Sequence, residues 1–361
     1  MTAAHAPLVS KTALAIPLAA IMVLAGVWGR QPGTFAAVLV ALTLVAAVLS
    51  AVHYAEIVAH RVGEPFGTLV LAIAVTVIEV ALVLSMMLSG GPATSALPRD
   101  TVFAAVMIIC NGMIGICLVA GALRHHVLSF RVDGAAPAFA VLATLATMTM
   151  VLPAFTTSTP GLTFSVSQLV FAGTMSLLLY GVFVFVQTVR HRDYFLPLDQ
   201  AEEGFLEPPS TRTAWASLVL LLLCLVAVVG LAKMLSPLIE SGVRAANAPP
   251  AAVGVIIAML VLLPETLAAT RAALANRMQI SLNLALGSGL ATIGLTIPAV
   301  IVLSLFLDMP LTMGLPQKEL ALLAITFVVG TLTLSSGRAS VLQGAVHLAI
   351  FAAFLFLSIV P

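Results

Sequence analysis

Apolar residues fill this chain in long runs, and polar residues gather in short stretches between them. Eleven runs approach or exceed the ~20 residues that an α-helix needs to cross a bilayer. They cover roughly 12–29, 34–59, 66–90, 101–123, 136–155, 165–189, 213–238, 250–275, 281–307, 318–335 and 339–360. In hydrocarbon each must be helical, because only a helix pairs all of its own backbone groups. The pattern therefore predicts an all-α polytopic membrane protein with about 11 transmembrane helices. A signal peptide is the other reading of the first run. That run is long and no clean A-x-A site follows it, so a retained helix is expected.

One stretch breaks the pattern. Residues 191–213, HRDYFLPLDQAEEGFLEPPSTRT, are polar, hold three prolines, and carry Asp193, Asp199, Glu202, Glu203 and Glu207. It divides the chain into an N-terminal tail and extra helix (1–33), a first set of five spans (34–190), an acidic loop (191–212) and a second set of five (213–361). The two sets share features. Aligning Glu79 with Glu265 pairs Ala72 with Ala258 and Val75 with Val261. A glycine opens each helix (Gly67, Gly254), with a proline shortly before it (Pro65, Pro250). In the next span NGMIGICLVAG, from Asn111, resembles SGLATIGLTIP, from Ser288. Five is an odd number of crossings, so the two sets have opposite orientations. This is an inverted repeat, the plan of many secondary transporters, which place their sites near the midplane at the repeat interface.

Composition sharpens the class. The chain is 61% hydrophobic and 8% charged, against about 25% charged in soluble domains. A net charge of +1 gives no footprint for nucleic acid, and the lipid bilayer is the expected surrounding. Cys110, Cys117 and Cys224 lie in apolar runs without metal-binding spacing and read as packing residues. Nothing sets an oligomeric state. Lys and Arg divide unevenly between the two faces. The face of the N-terminus carries Lys11, Arg61, Arg124, Arg131, Arg190, Arg192, Arg212, Arg271, Arg277 and Arg338; the other carries Arg30, Arg99, Lys233, Arg244 and Lys318. The N-terminus is thus expected in the cytoplasm and the C-terminus outside.

Against this background Glu79 and Glu265 stand out, each alone in an apolar run. A carboxylate at mid-bilayer depth costs roughly 2.5–3.5 kcal/mol on the insertion scale. Two such groups in matching places point to joint use.

The strings HYAEIVAHRVGEPFGTLVLAIAVTVIEVALVLSMM (53–87) and LLPETLAATRAALANRMQISLNLALGSGLATIGLTIPAV (262–300) resemble the two alpha-repeats of the calcium/cation exchanger superfamily. More narrowly, the chain is similar over nearly its whole length to bacterial ChaA-type calcium:proton antiporters. The resemblance implies that the repeat glutamates, here Glu79 and Glu265, bind the cation and exchange it for protons. It implies a multi-pass protein of the bacterial inner membrane with no resident cofactor, whose partners are inorganic cations and protons. Calcium is the first choice of ion, with sodium or potassium as further substrates. The chain departs from the wider superfamily at Val77-Ile78-Glu79, where many members have a small or amide residue before the glutamate; Pro264 before Glu265 is nearer the common pattern. This leaves ion choice open more than mechanism.

Calcium takes 6–8 oxygen ligands from carboxylates, carbonyls and waters. Thr76 lies three residues before Glu79, on the same helix face. Thr266 follows Glu265; Asn283 and Ser288 lie on the span after it, and Asn111 on the span after Glu79. Pro264 removes a helical hydrogen bond and frees carbonyl groups. Each hydroxyl and amide has an ordinary structural reading beside this one, bonding its own helix or a neighbour. Carboxyls removed from water and set near like charge hold their protons more tightly. An arriving cation displaces those protons, so the two occupancies exclude one another.

His53, Glu56 and His60 share a helix face near the cytoplasmic end of span 2 and form a candidate proton-uptake relay; a solvated interfacial face is the competing reading. Glu64, before Pro65, is expected either to cap the next helix or to line the cation mouth. The acidic stretch reads as a solvated linker or as a region that attracts cations. Two other function classes share single features with this chain. A channel calls for a ring-forming filter or pore helix rather than a two-fold repeat with buried titratable groups. An intramembrane protease with paired carboxylates calls for Asp, and the mid-span acids here are Glu.

Overall fold

The computed structural model describes residues 11–29, 33–63, 66–90, 95–196, 209–245, 249 and 251–360. Among these residues the regular structure is helical except for one pair of two-residue strands. By contact the chain falls into two compact units, 1–89 with 203–241 and 90–202 with 242–361.

The first unit holds α1 (Lys11–Val27), α2 (Thr34–Val62), α3 (Phe66–Gly90) and most of α8 (Thr211–Ala245). α1 lies along α2. Gly230 of α8 faces Leu24 of α1 with no room for a side chain, since a methyl there would meet Leu24 at 2.6 Å. At the end of α2 the Arg61 guanidinium donates to the Thr211 hydroxyl at 2.7 Å, tying the start of α8 to the end of α2. α2 stops at Gly63, whose φ of 76° suits glycine and few other residues.

The second unit is built from α4 (Leu97–Met107), α5 (Ile114–His125), α6 (Val132–Ala146), α7 (Val166–Phe185), α9 (Ala251–Val261), α10 (Leu263–Leu274), α11 (Met278–Ala291), α12 (Ile297–Phe306), α13 (Gln317–Leu334) and α14 (Val341–Ile359). A π-helical segment, Ile108–Met113, joins α4 to α5 in one 29-residue helix, and another, Thr292–Thr296, joins α11 to α12 in a second of 29 residues. These are the third helices of the two five-span sets, and both carry the π insertion. π segments occur disproportionately at functional sites. The first of these helices is the most deeply buried of the apolar helices and forms the middle of the unit's core through Met107, Ile109, Met113, Ile114 and Leu118. Capping boxes start α7 and α14, where the backbone N–H groups of Ser165 and Ser340 donate to Gln168 and Gln343 at 2.9 Å. α9 packs closely on α4: a methyl on Gly254 would lie 2.9 Å from the Thr101 backbone nitrogen. Small residues permit such approach where no hydrophobic force drives helices together in lipid.

Among the described residues, eight helices are long and apolar enough to cross a membrane, and nine if the bent pair α9–α10 counts as one span. The two other expected spans fall on α1 and α3, where the described apolar stretches Ala15–Val27 and Ile73–Leu84 are shorter. The expected span 250–275 is not one straight helix: it bends by 53° between α9 and α10. The strands β1 (Leu128–Ser129) and β2 (Arg338–Ala339) pair antiparallel, an element absent from the hydropathy pattern. They satisfy the backbone of two connectors in which Leu128 and Ala339 are buried. The contact units cut across the two five-span sets, because α8 groups with α1–α3 while α4–α7 group with α9–α14.

In the second unit Arg99 is buried. It donates to the Asp100 carboxylate from Nε (2.8 Å) and Nη2 (2.7 Å), and to the Gly314 carbonyl from Nη1 (2.8 Å). The 312–315 segment is further held by Thr312 N–H on Ser95, Gly314 N–H on Leu162 and Leu315 N–H on Met150. A buried charge is kept by such pairing, since its desolvation is otherwise uncompensated.

Candidate cation site

In the first unit, Glu79 sits on α3, 3% exposed. Thr76, one turn earlier, is also buried, and its hydroxyl has no hydrogen-bond partner among the described residues. A helical threonine in an apolar run usually donates to the carbonyl four residues back. Thr101, Thr149 and Thr266 all do so here, at 2.7–2.8 Å. Thr76 does not, which leaves an acceptor and a donor beside the carboxyl group.

In the second unit, Glu265 stands in the first turn of α10, directly after the 53° bend. Leu262 ends the preceding turn, and Pro264 is one of the first two residues of α10. Proline has no N–H, so the carbonyl it would have served in an unbroken helix is released. A first-turn carboxylate also lies at the positive end of its helix. Thr266 donates to Leu262 O at 2.7 Å, so its hydroxyl hydrogen is committed to its own helix.

α10 packs against α11, α5 and the Ile108–Met113 segment, which brings the helices of Glu265, Thr266, Asn111, Asn283 and Ser288 together within this unit. The side chains differ in what they do. The Ser288 hydroxyl is buried and, like those of Ser176 and Ser217, has no partner among the described residues. The Asn111 amide donates to Thr326 Oγ1 at 2.9 Å, and its carbonyl oxygen lies 3.3 Å from His347 Nδ1. The Asn283 amide donates to the Phe195 carbonyl at 2.6 Å and its oxygen accepts from Gln279 Nε2 at 3.0 Å. Thr76 and Ser288 therefore keep free hydroxyls, while Asn111 and Asn283 are engaged in links between elements.

His347 was not among the candidates from sequence. It is 1% exposed on α14, with Nε2 3.0 Å from the Thr333 hydroxyl. Thr326 spends its hydrogen on Leu322 O at 2.7 Å. A consistent arrangement has a neutral ring donating from Nδ1 to Asn111 and accepting from Thr333 at Nε2. The sequence did hold a signal: a lone ionisable residue within an apolar run, the criterion that singled out the glutamates.

His53, Glu56 and His60 are all exposed along one face of α2. Glu64, Asp199, Glu202, Glu203 and Glu207 lie outside the described residues. No group of three or more His, Cys, Asp or Glu side chains poised for a metal ion occurs among the described residues.

The profile of the family described as sodium/calcium exchanger protein matches residues 31–189 and 216–360, two segments on either side of the acidic stretch. The y4hA protein of Sinorhizobium fredii is 52% identical over 322 residues, covering 88% of this chain and 87% of its own. The sodium-potassium/proton antiporter ChaA of Escherichia coli is 33% identical over 353 residues, 96% of this chain and 95% of its own. The solved structure of native YfkE aligns with a TM-score of 0.74 over 97% of this chain and 98% of that one, at 16% identity. At that identity the likeness is one of fold.

Proposed function

This chain belongs to the sodium/calcium exchanger protein family, and from that premise we propose that it moves Ca2+ against H+ through a site built on Glu79 and Glu265. It is a multi-pass cation antiporter of the exchanger type, not an enzyme. The observation that carries the finer reading is the pair of lone glutamates at corresponding places in the two five-span sets. One is buried on α3; the other opens the half-helix α10 after a break.

Two carboxylates match the charge of one divalent ion. Neutral oxygens complete a calcium shell, and the Thr76 and Ser288 hydroxyls and the carbonyls released by Pro264 supply that chemistry. Empty of cation, the two carboxyl groups carry protons. A cation arriving from one face needs both ionised, so its binding expels the protons, and reprotonation from the other face expels the cation. Alternating access then needs only that the site open to one face at a time. By the distribution of Lys and Arg the N-terminus is cytoplasmic and, with eleven spans, the C-terminus external, in a bacterial inner membrane.

A second ion class has its own support. The relative at 33% identity is a sodium-potassium/proton antiporter, so Na+ and K+ belong in any test. Reconstituted vesicles with an acidic, dye-reported lumen separate the cases. Adding Ca2+ outside should raise luminal pH, at lower concentration than Na+ or K+. A response to Na+ or K+ alone would reassign the ion. Silence to all three, with the protein inserted, would overturn antiport at this site.

A further inference from the structure

We propose that Asn283 and Gln279 are positioning residues, and that residues 192–196 form a strap holding one end of the α11–α12 helix. This rests on the exchange reading above. The strap is a short 3-10 helix, Arg192–Phe195, followed by Leu196. It begins where α7 ends in the π segment Val186–Arg190, and the His191 and Tyr194 rings stack at 4.8 Å with 10° between planes.

Two hydrogen bonds hold it directly, and two more brace their donors. Asn283 Nδ2 donates to the Phe195 carbonyl at 2.6 Å, and Gln279 Nε2 donates to Asn283 Oδ1 at 3.0 Å. The Arg131 backbone N–H donates to Gln279 Oε1 at 2.7 Å, and Arg131 Nε to the Leu196 carbonyl at 3.1 Å. Gln279 is 2% exposed, so its amide is committed to this chain of bonds. α6 adds a seat at Gly134, where any methyl would collide with the Tyr194 carbonyl oxygen.

A second line of contact runs deeper. Phe195 meets Phe183 of α7 edge-on at 6.0 Å, and Phe183 lies 6.5 Å from Tyr180. Tyr180 rests on Gly294, where a methyl would sit 2.5 Å from its Cβ. Gly294 belongs to the π segment Thr292–Thr296. The strap thus reaches the α11–α12 helix at Asn283 directly and at Gly294 through two aromatic rings. Ser288, with its free hydroxyl, lies between those two points. A strap attached on both sides of a site residue sets where that residue stands. It lies on the face read as cytoplasmic, so it governs the state open to that face.

A strap anchor and a cation ligand differ in the faces they serve. A midplane ligand serves both faces, whereas an anchor of the inward-open state serves one. Gly134→Ala pushes the strap off its seat without touching α11; Asn283→Ala cuts the bond from the other side. In oriented proteoliposomes each should raise the half-saturating Ca2+ at the cytoplasmic face roughly three- to tenfold and leave the external value within about twofold. Gly134→Ala should keep its maximal rate within the same twofold. The double variant should shift no further than the larger single, because both release one contact. A thiol introduced as Leu196→Cys should alkylate faster in either background, with the native Cys110, Cys117 and Cys224 buried. Equal shifts at both faces in Asn283→Ala, with Gly134→Ala silent, would make Asn283 a ligand and overturn the strap. Unchanged alkylation in both variants, or faster alkylation without any shift in half-saturation, would overturn it as well. A wild-type protein that exchanges no cation would sink the exchange reading instead, while the alkylation comparison would still report on the strap.

Discussion

Glu79→Gln and Glu265→Gln should each lower cation:proton exchange by roughly two to three orders of magnitude, with the protein still inserted and folded. Glutamine keeps the shape of the side chain and removes both its charge and its titration. With one carboxylate gone, a divalent ion at the site is half-neutralised in a poorly solvated place. Leaving a buried charge uncompensated costs about 3–5 kcal/mol, which is roughly 150- to 4,000-fold in affinity. Stability without cation should change little, since the protonated carboxyl and the amide are both neutral and of similar shape. The comparison is initial proton flux per inserted protein, with the thermal midpoint in detergent as the folding control. Near-normal flux in either variant would remove that glutamate from the site.

The second large effect is on pH. Cation binding needs ionised carboxylates, and ligand protonation weakens metal affinity. While the empty site is protonated, each proton displaced by the cation should cost tenfold in apparent affinity per unit fall in pH. With two protons displaced this approaches a hundredfold. The sign is fixed: affinity falls as pH falls, and levels off once both carboxyls are ionised without the cation. Half-saturation measured from pH 6 to 9 at zero membrane potential gives the slope. A flat profile across that range would rule out competition at a shared site.

The helices and the two glutamates were legible in the sequence because both follow from the cost of polar groups in hydrocarbon. A lone charge in an apolar run is visible without coordinates, and so is Pro264, whose missing N–H forecasts the bend after α9. His347 is equally visible by that criterion, but no second member of a pattern accompanies it. The π segments were not legible: Ile108–Met113 and Thr292–Thr296 have the composition of the α-helices they interrupt. Nor were the duties of the amides. Asn283 and Ser288 looked alike as ligand candidates on one helix, yet Asn283 is tied to a backbone carbonyl 88 residues away. A main-chain acceptor leaves no mark on side-chain spacing. Asn111 is likewise claimed by Thr326, 215 residues on. The hydroxyls of Thr76 and Ser288 differ from these only in what the fold leaves undone.

Proton release on cation binding tests the central claim most directly. Purified protein in weakly buffered detergent, near neutral pH, is titrated with Ca2+ while free H+ is followed. The wild type should release protons in step with binding. Glu79→Gln and Glu265→Gln should each release fewer, and the double variant none. Calcium binding without proton release in the wild type, or undiminished release in the double variant, would contradict exchange at this carboxyl pair.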